Sequence, residues 1–143
     1  MKSPYFVRSS VAGFTLLELL VVLVILGLLA AVATPQVMKY LSRARSQSAA
    51  LQIHNLAASL DLYRLDVGRY PTEEEGLKSL VEAPPSTPIW NGPYVKKSEM
   101  LLDPWGHPYI YQIPGEHGDY DLYSGGADNA VGGVGENQDI TNW

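Results

Sequence analysis

Residues 14–33 form an apolar run of 20 residues with a single charge, Glu18, and no other stretch limits so strongly what the chain can fold into. At about 1.5 Å of rise per residue, a helix of that length matches a hydrocarbon core of about 30 Å, so it is long enough to span a membrane. Its flanks narrow the choice. A short leader carries Lys2 and Arg8 and no acid, it ends at Gly13, and Glu18 then stands fifth in the apolar run. An ionised carboxylate in hydrocarbon costs roughly 2.5 to 3.5 kcal/mol on insertion scales, so it needs a partner. A plain anchor has no use for it.

The segment Gly13-Phe14-Thr15-Leu16-Leu17-Glu18, with the basic leader before it and the apolar run ending at Ala33-Thr34-Pro35 after it, resembles the class III signal of type IV pilins and type II secretion pseudopilins. The resemblance implies that a prepilin peptidase cuts between Gly13 and Phe14 and methylates the new amine on Phe14. It also implies that Glu18 and Pro35 serve filament assembly. Glu18 lies one helical turn from the amine that cleavage creates, so it can meet its own N-terminus or, with a stagger of one subunit, that of a neighbour; the family's assembly uses the neighbour. A stray acid snorkelling from the helix end is the plain structural alternative. Another is an ordinary signal peptide cut after Ala31-Val32-Ala33, releasing a secreted soluble protein that begins Thr34-Pro35. Against it stand an apolar run longer than the roughly 7 to 15 residues of an h-region, the presence of Glu18, and a proline beside the new terminus. Charge does not fix the topology, because Lys39, Arg43 and Arg45 beyond the run match Lys2 and Arg8 before it. A cytoplasmic N-terminus follows from the resemblance.

The 143-residue chain leaves roughly 100 residues for a small soluble domain beyond the apolar run. It has no cysteine, so no disulfide can staple that domain. Loss of the leader removes two of the 10 basic residues and none of the 15 acidic ones, moving the formal charge from −5 to −7, which argues against a nucleic-acid partner. Pro35 should kink or loosen a helix that otherwise continues. Between Pro35 and Ser48 the pattern is polar, with Lys39, Ser42, Arg43, Arg45 and Ser46, and reads as a stalk. Ala49, Ile53, Leu56, Leu60, Tyr63 and Val67 then recur at spacings of four and three, an apolar stripe that ends at Gly68. The helix could therefore run over 14–67, about 80 Å.

Thr72 and Glu75 form a capping-box pattern ahead of a short helix through Leu77, Leu80 and Val81. The stretches Ala83-Pro84-Pro85-Ser86-Thr87-Pro88 and Trp90-Asn91-Gly92-Pro93-Tyr94 read as surface loop, and Asp103-Pro104-Trp105-Gly106-His107-Pro108 as a turn, with Trp90 and Trp105 closing the core. Residues 109–113 and 119–124 predict an antiparallel hairpin with a five-residue loop, within a sheet of two or three strands laid on the helical stripe. Asp119 and Asp121 would share a face of the second strand, but a glycosidase pair needs a cleft that this chain hardly provides. His54, His107 and His117 lack the spacing of a zinc site. No enzyme motif stands out.

From Asp103 to Trp143 there are seven acids and no lysine or arginine, set among glycines. Such loops suit Ca²⁺, which takes 6 to 8 oxygen ligands from carboxylates and converging carbonyls; composition alone fits a disordered acidic tail equally well. The runs Asp119-Tyr120-Asp121-Leu122-Tyr123-Ser124-Gly125-Gly126-Ala127-Asp128, Asp139-Ile140-Thr141-Asn142-Trp143 and Asp103-Pro104-Trp105-Gly106 resemble the calcium-loop region of the major pseudopilins of type II secretion. That likeness implies carboxylates from Asp128 and Asp139 and carbonyls from Leu122, Ser124 and Val134, with calcium as the staple. Type IV pilins proper usually close this region with a disulfide.

The expected fold is α+β and pilin-like: a long N-terminal helix, a short helix, a small antiparallel sheet and a calcium loop. The expected parts are a cleaved leader at 1–13, a membrane and filament-core helix at 14–34 and a periplasmic domain at 35–143, in which 35–67 complete the helix and 68–143 are globular. The resemblance implies a structural subunit, anchored by one pass in the bacterial inner membrane, that polymerises into a periplasmic pseudopilus and drives export of folded proteins across the outer membrane. Its implied partners are copies of itself, minor pseudopilins, prepilin peptidase and the inner-membrane assembly platform. A minor pseudopilin or type IV pilin subunit is the alternative of the same class, and a secreted soluble calcium-binding protein with an ordinary signal peptide is the alternative of another class.

Overall fold

A computed structural model describes residues 13–143, so the leader lies outside the described residues apart from Gly13. Among them are one α-helix, α1 (Leu16–Val67), four short 3-10 helices and three strands, β1 (Ile110–Gln112), β2 (Asp121–Ser124) and β3 (Ile140–Thr141). The chain divides into two compact units, one up to Met38 and the other Lys39–Trp143.

In the first unit, Thr15 starts the helix. Its Oγ1 accepts the Glu18 N–H at 3.2 Å and its carbonyl accepts the Leu19 N–H at 3.1 Å, which satisfies donors that the first turn leaves unpaired. The helix therefore begins at Leu16, two residues after the expected Phe14, because Thr15 is used as the cap. From Phe14 to Met38 every residue is exposed. A helix that is apolar on all sides needs a cover from elsewhere. By length and composition it is the one described helix that could cross a membrane. Pro35 lies inside α1 without ending it. The ring removes the N–H that would reach the carbonyl four residues back, while the Thr34 hydroxyl donates to the Ala30 carbonyl at 2.7 Å in the same turn.

In the second unit, the polar stretch up to Ser48 has no fully buried residue, but Ser42, Arg45 and Ser46 are half-buried and Arg45 lies 3.9 Å from the Glu136 carboxylate. Ala49, Ile53, Leu56, Leu60 and Tyr63 are then fully or almost fully buried, and Val67 packs at the edge. The N–H of Gly68 caps the end of α1 on the Arg64 carbonyl at 2.8 Å. Against this stripe lie Leu77, Leu80, Val95, Tyr109, Tyr120 and Leu122, bordered by Tyr70, Trp90, Tyr94 and Tyr111. The aromatic rings meet edge to face, Tyr63 on Tyr94 at 5.6 Å and Trp90 on Tyr94 at 5.8 Å, a geometry that ring quadrupoles favour. Buried phenols find acceptors: Tyr111 donates to the Pro71 carbonyl at 2.9 Å and Tyr109 to Gln52 Oε1 at 2.5 Å.

The capping box forms as expected, with Glu75 N–H on Thr72 Oγ1 at 3.3 Å and Thr72 N–H on Glu75 Oε2 at 2.9 Å. The short helix expected after it follows, in the 3-10 form. Gly76 takes φ +56°, and only a 3-10 helix, Leu77–Leu80, comes next, because a left-handed residue interrupts the α ladder.

The sheet order is β1-β2-β3, antiparallel throughout, with Tyr111 opposite Leu122 and Ser124 opposite Ile140. The hairpin is shorter than expected. Asp121 turns its carboxylate back onto the N–H groups of Glu116 and His117 at 3.0 and 3.1 Å, so β2 starts at Asp121. Asp119 falls outside the strand and pairs with Arg64 at 3.3 Å, and the two aspartates share no face. Trp90 borders the core as expected and donates to the Ser79 carbonyl at 2.8 Å. Trp105 does not pack on it, because Asp103 ties residues 105 and 107 into a turn of their own.

Candidate functional site

Two regions carry the residues singled out in the sequence. Gly13 and Phe14 precede the helix in non-helical backbone and are exposed. A cut between them would leave an amine one residue before the cap at Thr15. Glu18 sits in the first turn of α1, exposed, its backbone N–H held by Thr15. A carboxylate there lies at the positive end of the helix dipole.

The second region is built by the antiparallel pairing of β2 with β3 and by the loop 125–139 that joins them. Leu122 and Ser124 lie in β2, both buried, and the pairing of Ser124 with Ile140 sets Asp139 next to it in register. Asp128 ends the 3-10 helix Gly126–Asp128 and is exposed, its Oδ1 accepting the Ala130 N–H at 3.2 Å. Asp139 is half-buried. Its Oδ2 accepts the Gly132 N–H at 2.9 Å, while its Oδ1 is buried and has no hydrogen-bond partner. The Leu122 carbonyl accepts the Asn142 N–H at 3.0 Å and the Val134 carbonyl accepts the Asn137 N–H at 3.3 Å; each keeps a second lone pair.

Gly126 is one place where this loop folds back closely on itself. At φ +66°, a Cβ built on it would lie 2.7 Å from the Glu136 carbonyl oxygen and 3.0 Å from that of Gln138, so only glycine fits. The loop thus brings main-chain oxygens of residues 136 and 138 near the turn that holds Asp128. Among the described residues no three carboxylate or imidazole groups converge. A hard cation here would rest on two carboxylates and several carbonyls, which is chemistry that Ca²⁺ accepts. An acceptor oxygen buried without a donor, as Asp139 Oδ1 is, suits a positive ion.

Three side chains around this region were not singled out as site residues. Asn142 holds both backbone groups of Leu122, taking its N–H on Oδ1 at 2.8 Å and giving its own N–H to the Leu122 carbonyl. His117 stacks on Trp143 at 4.0 Å and places Nδ1 3.0 Å from Asp121 Oδ2. Burial pushes the Asp121 carboxyl up, but the His117 contact and the two backbone N–H groups outweigh it and hold the group below the usual carboxylate range. Asp103 has a fully buried side chain whose Oδ1 accepts the N–H groups of Trp105 and His107 at 3.0 and 2.8 Å. Its signal was an aspartate opening a Pro-Gly turn, a position where the side chain often takes N–H groups further on. Asn142 is marked in the sequence only as part of the run 139–143 that carries the family resemblance.

Residues 36–143 match the family described as "Type II secretion system (T2SS), protein G", and residues 8–34 match the "Prokaryotic N-terminal methylation motif". The chain is 46% identical over 140 residues to a "Type II secretion system core protein G" of Pseudomonas aeruginosa, covering 95% of this chain and 97% of that one. It is 47% identical over 135 residues to the protein of the same description from Escherichia coli K12, covering 92% and 90%. A crystal structure of the major pseudopilin from the type 2 secretion system of enterohaemorrhagic Escherichia coli aligns with a TM-score of 0.60 at 35% identity, over 74% of this chain and 92% of that one.

Proposed function

Because the chain belongs to the type II secretion system protein G family, we propose that it is the structural subunit of a periplasmic pseudopilus, made as a precursor and polymerised to drive folded proteins across the outer membrane. The observation that carries this reading is the helix from Leu16 to Met38, apolar and exposed on every face, directly after the Gly13–Phe14 bond of a methylation motif. Lipid would cover that surface before assembly, and copies of the same helix after it. Leader 1–13 is removed, 14–34 anchor the chain, and 35–143 lie in the periplasm. Minor pseudopilins and the inner-membrane platform would meet the same N-terminal helix.

Cleavage after Gly13 frees a primary amine on Phe14, methylation makes it a secondary amine, and that amine is cationic. Glu18 offers the opposite charge. In a medium of low dielectric, two unit charges at hydrogen-bond distance attract far more strongly than in water, and a carboxylate left alone there is costly. A subunit whose Glu18 reaches the Phe14 amine of its neighbour is thereby set in one axial register. Glu18→Ala should leave cleavage and methylation largely intact, as read by the mass of the mature chain, while filaments visible by electron microscopy disappear. Normal filaments from that variant would defeat the charge-pairing account.

At the other end, Asp128 and Asp139 would supply carboxylates and Leu122, Ser124 and Val134 carbonyls to Ca²⁺. The bound ion would supply charge that ties the two arms of one glycine-rich loop, in a domain with no cysteine, where another fold would use a disulfide. This assignment is supported by the unpartnered Asp139 Oδ1 and by the close crossing at Gly126.

A further inference from the structure

A chain of hydrogen bonds leads from the turn at residues 103–107 into the loop of Asp128. Asp103 has no exposed side-chain surface. Its Oδ1 is spent on the Trp105 and His107 N–H groups, and its Oδ2 accepts the Ser124 hydroxyl at 2.6 Å. Ser124, itself fully buried, uses the same Oγ to accept the Gly126 N–H at 3.2 Å. Gly126 in turn is wedged against the backbone of residues 136–138. A buried carboxylate therefore orients one hydroxyl, and that hydroxyl orients the residue at which the loop 125–139 crosses itself.

We propose that Asp103 is a positioning residue for the cation loop, acting through Ser124 to hold Gly126, and with it the 126–128 turn, at the distance from Asp139 that shared coordination requires. The proposal rests on the reading of Asp128 and Asp139 as calcium ligands. Asp103 touches no candidate ligand oxygen of that pair. It fixes the Ser124 hydroxyl, while the carbonyl of Ser124, a residue paired across to Ile140 in the sheet, keeps a second lone pair for the ion. A charge-assisted hydrogen bond inside a dry region is short and strongly oriented, and the 2.6 Å contact has that character.

The test uses the full chain in detergent micelles, titrated with Ca²⁺ against a competing chelator dye and melted with and without the ion. Three variants accompany the wild type: Ser124→Ala, Asp103→Asn and Asp128→Ala. Ser124→Ala removes the hydroxyl but keeps the carbonyl and the strand pairing. Loss of one hydrogen bond to a buried charge should weaken calcium binding roughly tenfold or more in Ser124→Ala and Asp103→Asn, and should shrink the melting-temperature rise that calcium produces. Asp128→Ala should not respond to calcium. A purely structural contact would lower both melting temperatures equally and leave the affinity unchanged, and that result would overturn the proposal. If Asp103→Asn fails to fold, Ser124→Ala decides. A wild type that neither binds calcium nor shifts would overturn the calcium reading itself and the proposal with it, an outcome told apart by the wild-type arm.

Discussion

Glu75 shows how much one side chain can organise. Arg69 grips it with two N–H groups at 2.6 and 2.8 Å, the Thr72 N–H donates at 2.9 Å, and the Ser86 hydroxyl at 2.5 Å. The contacts join the cap of the turn at 72–75 to the proline-rich loop. Hydrogen bonds from Arg69 first, then from Ser86 and Thr72, outweigh burial and bring the Glu75 carboxyl from 4.5 down to about 2. A carboxyl depressed in the folded chain contributes its stability above the unfolded pKa and loses it as pH falls toward the folded one. Glu75→Gln should therefore cost on the order of 1 to 2 kcal/mol at pH 7, allowing for solvent screening of the half-exposed Arg69. The difference from wild type should narrow below pH 4.5 and nearly close by pH 2, as read from urea denaturation across that range. A penalty independent of pH would mean that packing, and not charge, carries the contact. The capping pair was legible in the sequence as Thr72 and Glu75, but Arg69 and Ser86 were not, since they reach Glu75 only through folded loops.

Among the elements, α1 was the most legible because its signal is periodic. The spacing of Ala49, Ile53, Leu56, Leu60 and Tyr63 names the buried face residue by residue, and each of the five is buried. The period follows from 3.6 residues per turn and needs no tertiary knowledge. Leu60 has no exposed surface and lies mid-stripe, so Leu60→Ala should lower the stability of the domain by about 2 to 5 kcal/mol. The exposed Leu62, two positions on, should tolerate the same change with little effect, as thermal melts of the two variants would show. Equal losses would mean the stripe is misassigned. The strands were harder, because two to four residues give no usable period. β3 is two residues long and is held in place by Asn142 bonding Leu122. That pairing joins positions 20 residues apart, and no local pattern announces it. The candidate cation site was legible only through its resemblance to a family, since its geometry depends on that same pairing.

At the scale of the whole molecule, the two units make opposite demands. Lys39–Trp143 buries a core of its own, while the helix up to Met38 leaves Leu16, Leu17, Leu20, Leu28 and Val32 more than half exposed. A continuous apolar surface of that kind on a protein in water is a liability, and it marks a contact with lipid or protein. The chain cannot be released intact into solution. Either the run is cut away or it is kept and covered, and the position of the mature N-terminus separates the two. Cutting after Gly13 keeps the whole run and places a charged amine one turn from Glu18; cutting after Ala33 discards it and leaves a chain that begins at Thr34. The helix gives no support to the second site, because α1 continues through Ala33, Thr34 and Pro35, and a peptidase needs an extended substrate to reach the bond. The bond at Gly13 lies outside the helix in non-helical backbone. Mass spectrometry of the protein from membranes should therefore find methylated Phe14 at the N-terminus in cells with prepilin peptidase, and the full leader in cells without it. A mature chain that starts at Thr34 would remove the filament core, and the proposed function would fall with it.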